Sequence, residues 1–278
     1  MTIIGNGFDL SHGIKSKYSD FEKFVNTIDY LLTSYMNEYY SNADLWNDFE
    51  ASLGKISSPN IYNSEKSEYM SSIDDFDEKN INMVSDCIFE KSNHINDNIH
   101  KTFKEWVNKI DITSASKIEE WDSILRKEDL YLSFNYTETL EKIYGIRNVL
   151  HIHGDVDEPI FGHNSIDLRL HNEDEGWFLP DEADDATKKL FNNTRKDVDS
   201  YIKKENGFFN SLSDIEEIYV IGHSLNDIDA PYFKEIISKV PNAKWTVFYY
   251  IQKEKQDFKN KLISWGVVST NITLKETY

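Results

Sequence analysis

The chain has 278 residues, 30 of them basic and 49 acidic, so its formal net charge is −19 at pH 7. A surface this acidic repels phosphate backbones and anionic membranes, and no Lys/Arg-rich run offsets it, which argues against nucleic-acid and membrane partners. With 39% hydrophobic and 14% aromatic residues the chain can still build a core, and no stretch reaches the roughly 18 apolar residues of a membrane span.

The N-terminus, Met1-Thr2-Ile3-Ile4-Gly5, has no basic segment before an apolar one, so no secretory signal is expected. Cys87 is the single cysteine, which excludes an intrachain disulfide framework and a Cys-rich zinc site and fits a cytoplasmic protein. Ile3-Ile4 reads as a first buried strand. Tyr18 to Tyr40 follows as one helix, with Phe21, Phe24, Val25, Ile28, Leu31 and Leu32 on a 3.6-period stripe and Ser19 or Asp20 as cap. Residues 41–128 are polar and mostly helical, broken at Ser57-Ser58-Pro59-Asn60. They are too long for one crossover and read as a helical insertion or subdomain. Leu130-Tyr131-Leu132 is a second strand, Thr137 to Tyr144 a helix, and Val149-Leu150 with Ile152 a third strand. Residues 164–213 read as a second insertion or lid, whose acidic clusters, Glu173-Asp174-Glu175 and Asp181-Glu182-Ala183-Asp184-Asp185, suit solvated surface. Ile218 to Ile221 is a fourth strand and Asp229 to Val240 a helix with Pro231 in its first turn. Trp245 to Ile251 is a fifth strand, and the more polar Val267 to Leu274 suits an edge. Short apolar runs alternating with helices predict an α/β, doubly wound, Rossmann-like, mainly parallel sheet. It is formed by residues 1–40 and 129–278 as a nucleotide-binding domain.

There are only 11 glycines and 8 histidines. Gly5, Gly7, Gly13, Gly154, Gly162 and Gly222, with His12, His151, His153, His163 and His223, fall in three short regions at or near predicted strand tips. In an open α/β sheet, ligands bind beyond the carboxyl ends of the strands. The tips read Gly5-Asn6-Gly7-Phe8-Asp9, Ser133-Phe134-Asn135-Tyr136-Thr137, His151-Ile152-His153-Gly154-Asp155 and Gly222-His223-Ser224-Leu225-Asn226-Asp227. Gly-x-Gly after a strand suits backbone N–H groups approaching a phosphate, though Leu10 departs from the full dinucleotide fingerprint.

Gly5-x-Gly7-x-Asp9-x-x-x-Gly13-Ile14-x-x-x-Tyr18 resembles the opening motif of the sirtuin-like family, with Asp9 where sirtuins have Ser. Asn135, His153-Gly154 and Gly222-x-Ser224-Leu225-x-Asp227 are similar to later sirtuin elements, in the same order. Thr137 stands in place of the sirtuin Asp that meets the nicotinamide amide. More closely, Gly5-Asn6-Gly7-Phe8-Asp9-Leu10, Phe134-Asn135-Tyr136-Thr137, His151-Ile152-His153-Gly154 and Gly222-His223-Ser224-Leu225-Asn226-Asp227 together resemble the AbiH family of phage abortive-infection proteins. The AbiH resemblance implies anti-phage defence; the sirtuin-like one implies binding and cleavage of NAD. With one cysteine there is no deacetylase zinc ribbon. The expected ligand is a dinucleotide, NAD, with no metal. Expected partners are a second copy of the chain or another defence protein, and a phage-derived trigger. His153 is the candidate base and Asn135 the candidate partner of a ribose hydroxyl or water. Gly5, Asn6, Gly7, Asp9, Gly13, Gly222, Ser224 and Asp227 are the candidate ligand-binding residues.

Three rival readings stand beside this one. His151-x-His153-x-Asp155, with His163 downstream, is a pattern of metal-dependent hydrolases and nucleases. The two histidines alternate along a strand and so point the same way. Gly222-His223-Ser224-Leu225-Asn226 lacks the second glycine of a nucleophile elbow, and no histidine follows His223. A non-enzymatic nucleotide sensor is the third rival.

Overall fold

A computed structural model of the chain describes residues 1–41, 44–69, 78–170 and 181–277. Strand β1 (Thr2–Ile4) leads through Gly5 into the short helix α1 (Asn6–Ser11). Helices α2 (Tyr18–Ile28), α3 (Tyr30–Tyr39), α4 (Phe49–Leu53), α5 (Ser58–Tyr69), α6 (Glu78–Asn108) and α7 (Glu119–Asp122) precede β2 (Tyr131–Ser133). A π-helical turn (Leu140–Tyr144) leads to β3 (Val149–His151), followed by α8 (Asp181–Asn193), α9 (Val198–Lys204) and α10 (Asn206–Asn210). Then come β4 (Glu217–Ile221), a 3₁₀ turn (Asp227–Asp229), α11 (Ala230–Lys239), β5 (Lys244–Tyr249), α12 (Glu254–Trp265) and β6 (Ile272–Glu276).

The six strands form one sheet in the order β3-β2-β1-β4-β5-β6, and every pairing is parallel. This is the doubly wound, Rossmann-like order, with its switch point between β1 and β4, as the strand–helix alternation predicts. Alternate strand residues enter different apolar clusters. Ile3, Leu132, Val220 and Val247 pack in one, and Ile4, Tyr131, Ile221 and Phe248 in another. Burial on both faces explains why the strands read as continuous apolar runs. β6 closes one edge, in keeping with its more polar sequence.

The chain divides into two compact units. Residues 1–17, 107–160 and 197–278 carry the sheet, and residues 18–106 and 161–196 form a second, helical unit. Within the helical unit, Phe21, Phe49, Phe103 and Trp106 make an aromatic core. There the buried Lys196 ammonium meets Glu50 Oε2 at 2.8 Å, and Tyr18 donates to Glu50 Oε1 at 2.6 Å. The cluster Asp181-Glu182-Ala183-Asp184-Asp185 forms the first turn of α8, where carboxylates complement the helix dipole. Glu173-Asp174-Glu175 lies outside the described residues. No described helix is long and apolar enough to cross a membrane.

Two elements differ from expectation. The helix predicted from Tyr18 to Tyr40 is two helices, because Asp29 leaves helical dihedrals (φ −148°, ψ 79°) and caps α3 by accepting from the Leu32 N–H at 3.0 Å. A side chain that satisfies a first-turn N–H competes with continued helix. Asp29 also meets His94 Nε2 at 2.9 Å. Asp29→Ala is expected to lower stability by about 1–2 kcal/mol by urea titration, and Asp29→Ser to recover the capping part. The helix predicted over 137–144 is a wider π turn confined to Leu140–Tyr144, because the Thr137 and Thr139 side chains are both tied to Asp9.

Candidate active site at the carboxyl edge of the sheet

The register places Ile4, Ser133, His151 and Ile221 at one level across β1, β2, β3 and β4. Residues just beyond that level leave the sheet together at its carboxyl edge, on both sides of the switch point. This brings the tips of Gly5–Asp9, Phe134–Thr139, His151–His153 and Gly222–Asp229 to neighbouring positions in the sheet-bearing unit.

The glycines there serve a backbone-on-backbone contact. Gly222 has φ +66°, and a Cβ on it would lie 2.1 Å from the Phe8 nitrogen. A Cβ on Gly5 would lie 2.5 Å from His223 Cα, and one on Gly7 2.8 Å from Gly222 Cα. The sequence reading aims the Gly5 and Gly7 N–H groups at a phosphate. In the structure they donate to the Ile221 and Gly222 carbonyls, at 3.0 and 2.7 Å. Asn6 is exposed and exchanges hydrogen bonds with Ser16. Gly13 (φ +75°) closes α1 just after its C-cap residue, His12.

Asp9 is 1% exposed, and both its oxygens are engaged. Thr137 donates to Oδ2 at 2.5 Å and Thr139 to Oδ1 at 2.8 Å. Burial pushes the Asp9 carboxyl above its ordinary range, against the opposing pull of Thr137, Thr139, Asn135 and His12. A carboxyl whose folded pKa is raised holds its proton more tightly in the folded state. Its contribution is therefore most favourable at low pH and is lost as pH rises through the raised value. Asp9→Asn keeps the shape and removes that loss. The urea midpoint of the variant, relative to wild type, is expected to rise from pH 4 to pH 8.

Asn135 is 5% exposed; its amide lies beside Asp9 and helps to hold down that carboxyl, but neither Oδ1 nor Nδ2 makes a hydrogen bond of good geometry. A buried amide left short of good hydrogen bonds costs up to about 1–3 kcal/mol, and a ligand that completes those bonds recovers part of that cost. Its backbone is held firmly, with the N–H on Ser133 Oγ at 3.2 Å and the carbonyl on His151 Nδ1 at 2.8 Å. His151 Nε2 meets Glu141 Oε1 at 2.9 Å.

His153 and His223 share one carboxylate. Asp229, the last residue of the 3₁₀ turn, places Oδ1 at 3.2 Å from His153 Nε2 and Oδ2 at 3.4 Å from His223 Nε2. All three are buried. His223 Nδ1 accepts from the Leu225 N–H at 2.9 Å, which assigns its own proton to Nε2, facing Asp229. Phe134 touches both imidazoles, with ring centroids 5.1 and 4.3 Å away. Asp229 thus faces His153 and His223 at ion-pair distance, without hydrogen-bond geometry at Oδ1, and its charge favours the His153 edge turned toward it. Sequence reasoning named Asp227 as a ligand-binding residue and did not single out Asp229. Ser224 and Asp227 are exposed, and Asp229 is buried because residues two apart in a 3₁₀ turn face about 240° apart.

The metal-site expectation of two histidines pointing the same way is corrected. β3 ends at His151, and the chain turns at Ile152 and His153. His151 then meets Glu141, His153 meets Asp229, and Asp155 accepts from the Asp157 and Glu158 backbone. No group of three or more potential metal ligands is present among the described residues. His163 lies in the helical unit, fixed between the Phe191 carbonyl and the Ser165 N–H.

The family model for bacteriophage abortive infection AbiH matches residues 1–249, from β1 through β5. The chain belongs to the AbiH family. No curated protein and no solved structure matches it. Membership assigns this AbiH chain to abortive infection of phage, and the matched span contains every residue of the edge site described above.

Proposed function

We propose that this AbiH protein carries out its defence role by binding NAD at the carboxyl edge of its sheet and hydrolysing it to nicotinamide and ADP-ribose. The observation that carries the reading is the Asn135 amide, buried beside Asp9 with neither polar atom in a hydrogen bond of good geometry, on the same edge as His153 and Asp229. An amide both donates and accepts, which suits a ribose hydroxyl or a positioned water. In the reaction, water forms a bond to C1′ of the nicotinamide ribose through an oxocarbenium-like state. The C1′–N bond breaks, its electron pair leaves with neutral nicotinamide, and His153 accepts the proton of the water. Asp9 acts from behind, fixing Thr137 and Thr139, since both its oxygens are already engaged. No basic patch is required: Asn135 and His153 supply polar contacts in a protein of net charge −19.

Depletion of NAD is toxic, so the activity would act in the cytoplasm under restraint. A phage-derived trigger would release it, with the helical unit available for contacts to a second copy or a partner defence protein. The test incubates the purified full-length protein with NAD, with and without lysate of phage-infected cells, and measures nicotinamide release and NAD binding. Release that depends on the protein supports the reading. Binding without product supports the sensor instead, and neither binding nor product under any condition overturns the proposal.

A further inference from the structure

Both ring nitrogens of His151 face acceptors. Nδ1 lies 2.8 Å from the Asn135 carbonyl and Nε2 lies 2.9 Å from Glu141 Oε1. A neutral imidazole carries one N–H and cannot donate to both, whereas an imidazolium can. The Glu141 Oε2 atom has no hydrogen-bond partner, so His151 is what holds this carboxylate. We infer that His151 is a positioning residue, an imidazolium that bridges the π turn to β2 and clamps the Asn135 peptide so that its side-chain amide is presented at the sheet edge.

The groups facing His151 all favour the cation. They are Glu141 from the π turn, the Asn135 carbonyl from the β2 tip and Asp155 from the loop after β3. Burial opposes the charge, but these acceptors outweigh it and raise the His151 pKa above the ordinary 6.5. When the ring loses a proton, the Nε2–H is retained by the Glu141 carboxylate and Nδ1 becomes a lone pair. That lone pair opposes the Asn135 carbonyl oxygen and pushes the peptide away. Because the folded pKa is raised, the clamp is fully present below pH 6.5 and is lost as pH rises through the folded value.

The functional half of this inference rests on Asn135 contacting NAD; the structural half does not. The first measurement follows the His151 ring nitrogens and the Asn135 amide by nitrogen-15 NMR in the full chain, from pH 5 to pH 9. Expected are two protonated ring nitrogens at pH 5, a His151 midpoint above 6.5, and an Asn135 resonance that shifts with the same midpoint. Glu141→Gln should move that midpoint down by about one pH unit. A single protonated nitrogen at pH 5, or a midpoint at or below 6.5, overturns the clamp whatever the substrate is. The second measurement is the pH profile of NAD turnover. A high-pH limb that moves down with the NMR midpoint in Glu141→Gln supports the positioning role. A limb that stays in place while the midpoint moves overturns that role. If the NMR midpoints behave as expected but no protein form binds or cleaves NAD, the clamp stands and the NAD reading falls.

Discussion

Replacing His153 by alanine is expected to lower NAD hydrolysis by about 10²- to 10⁴-fold, the range typical of losing a positioned general base. The loss should fall on kcat, with NAD affinity changed far less, because a proton acceptor for the attacking water matters in the transition state. The fold should survive, since Asp229 keeps its second partner, His223 Nε2, at 3.4 Å. Asp229→Asn tests the same assignment from the other side. It preserves shape but removes the carboxylate that faces the ring, and should lose activity in the same direction while leaving His153 in place. Asn135→Ala separates binding from chemistry. It removes the amide beside Asp9, so it should weaken NAD binding far more than it changes stability. Hydrolysis within tenfold of wild type in His153→Ala, with the protein folded, would falsify the base assignment.

Gly222→Ala is expected to cost more than about 4 kcal/mol in a urea titration, or to prevent folding. Two penalties combine. A non-glycine residue at φ +66° carries about 1–2 kcal/mol of backbone strain. Its Cβ would also sit 2.1 Å from the Phe8 nitrogen and 2.6 Å from the Gly7 carbonyl carbon. Backbone atoms cannot rotate away as a side chain can, so α1 must separate from the β4 tip. Gly13→Ala is the matched control. Its φ is +75°, but a Cβ there meets nothing within 4 Å, so only the conformational cost of about 1–2 kcal/mol remains. Equal losses in the two variants would refute the close approach of β4 to α1.

The control pair also shows why the scarce glycines were only half legible. Their spacing marked the strand tips, and those tips do gather at one edge. The spacing could not distinguish a glycine that admits a phosphate from one that admits another strand. That difference depends on β4, more than 200 residues away in sequence from Gly5. Asp229 was hidden for a similar reason. Asp227 and Asp229 look alike in sequence, and only the rotation of one 3₁₀ turn sends the first to solvent and the second between two histidines. The Tyr18–Tyr40 stripe was read as one helix because periodicity records the buried face. The break comes from one polar side chain capping backwards.

The sequence by itself determined the strands, their two-sided burial, the doubly wound class and the family, because these follow from local apolar pattern and short motifs. Tertiary structure alone decided which polar atoms are satisfied. It engaged the Gly5 and Gly7 N–H groups with the end of β4, closed Asp9 between Thr137 and Thr139, paired His153 with Asp229 and His151 with Glu141, and set the Asn135 amide beside Asp9 without a hydrogen bond of good geometry. Hydrogen bonding is short-ranged and directional, so its partners are chosen by residues brought together across the sheet, and spacing along the chain does not encode them.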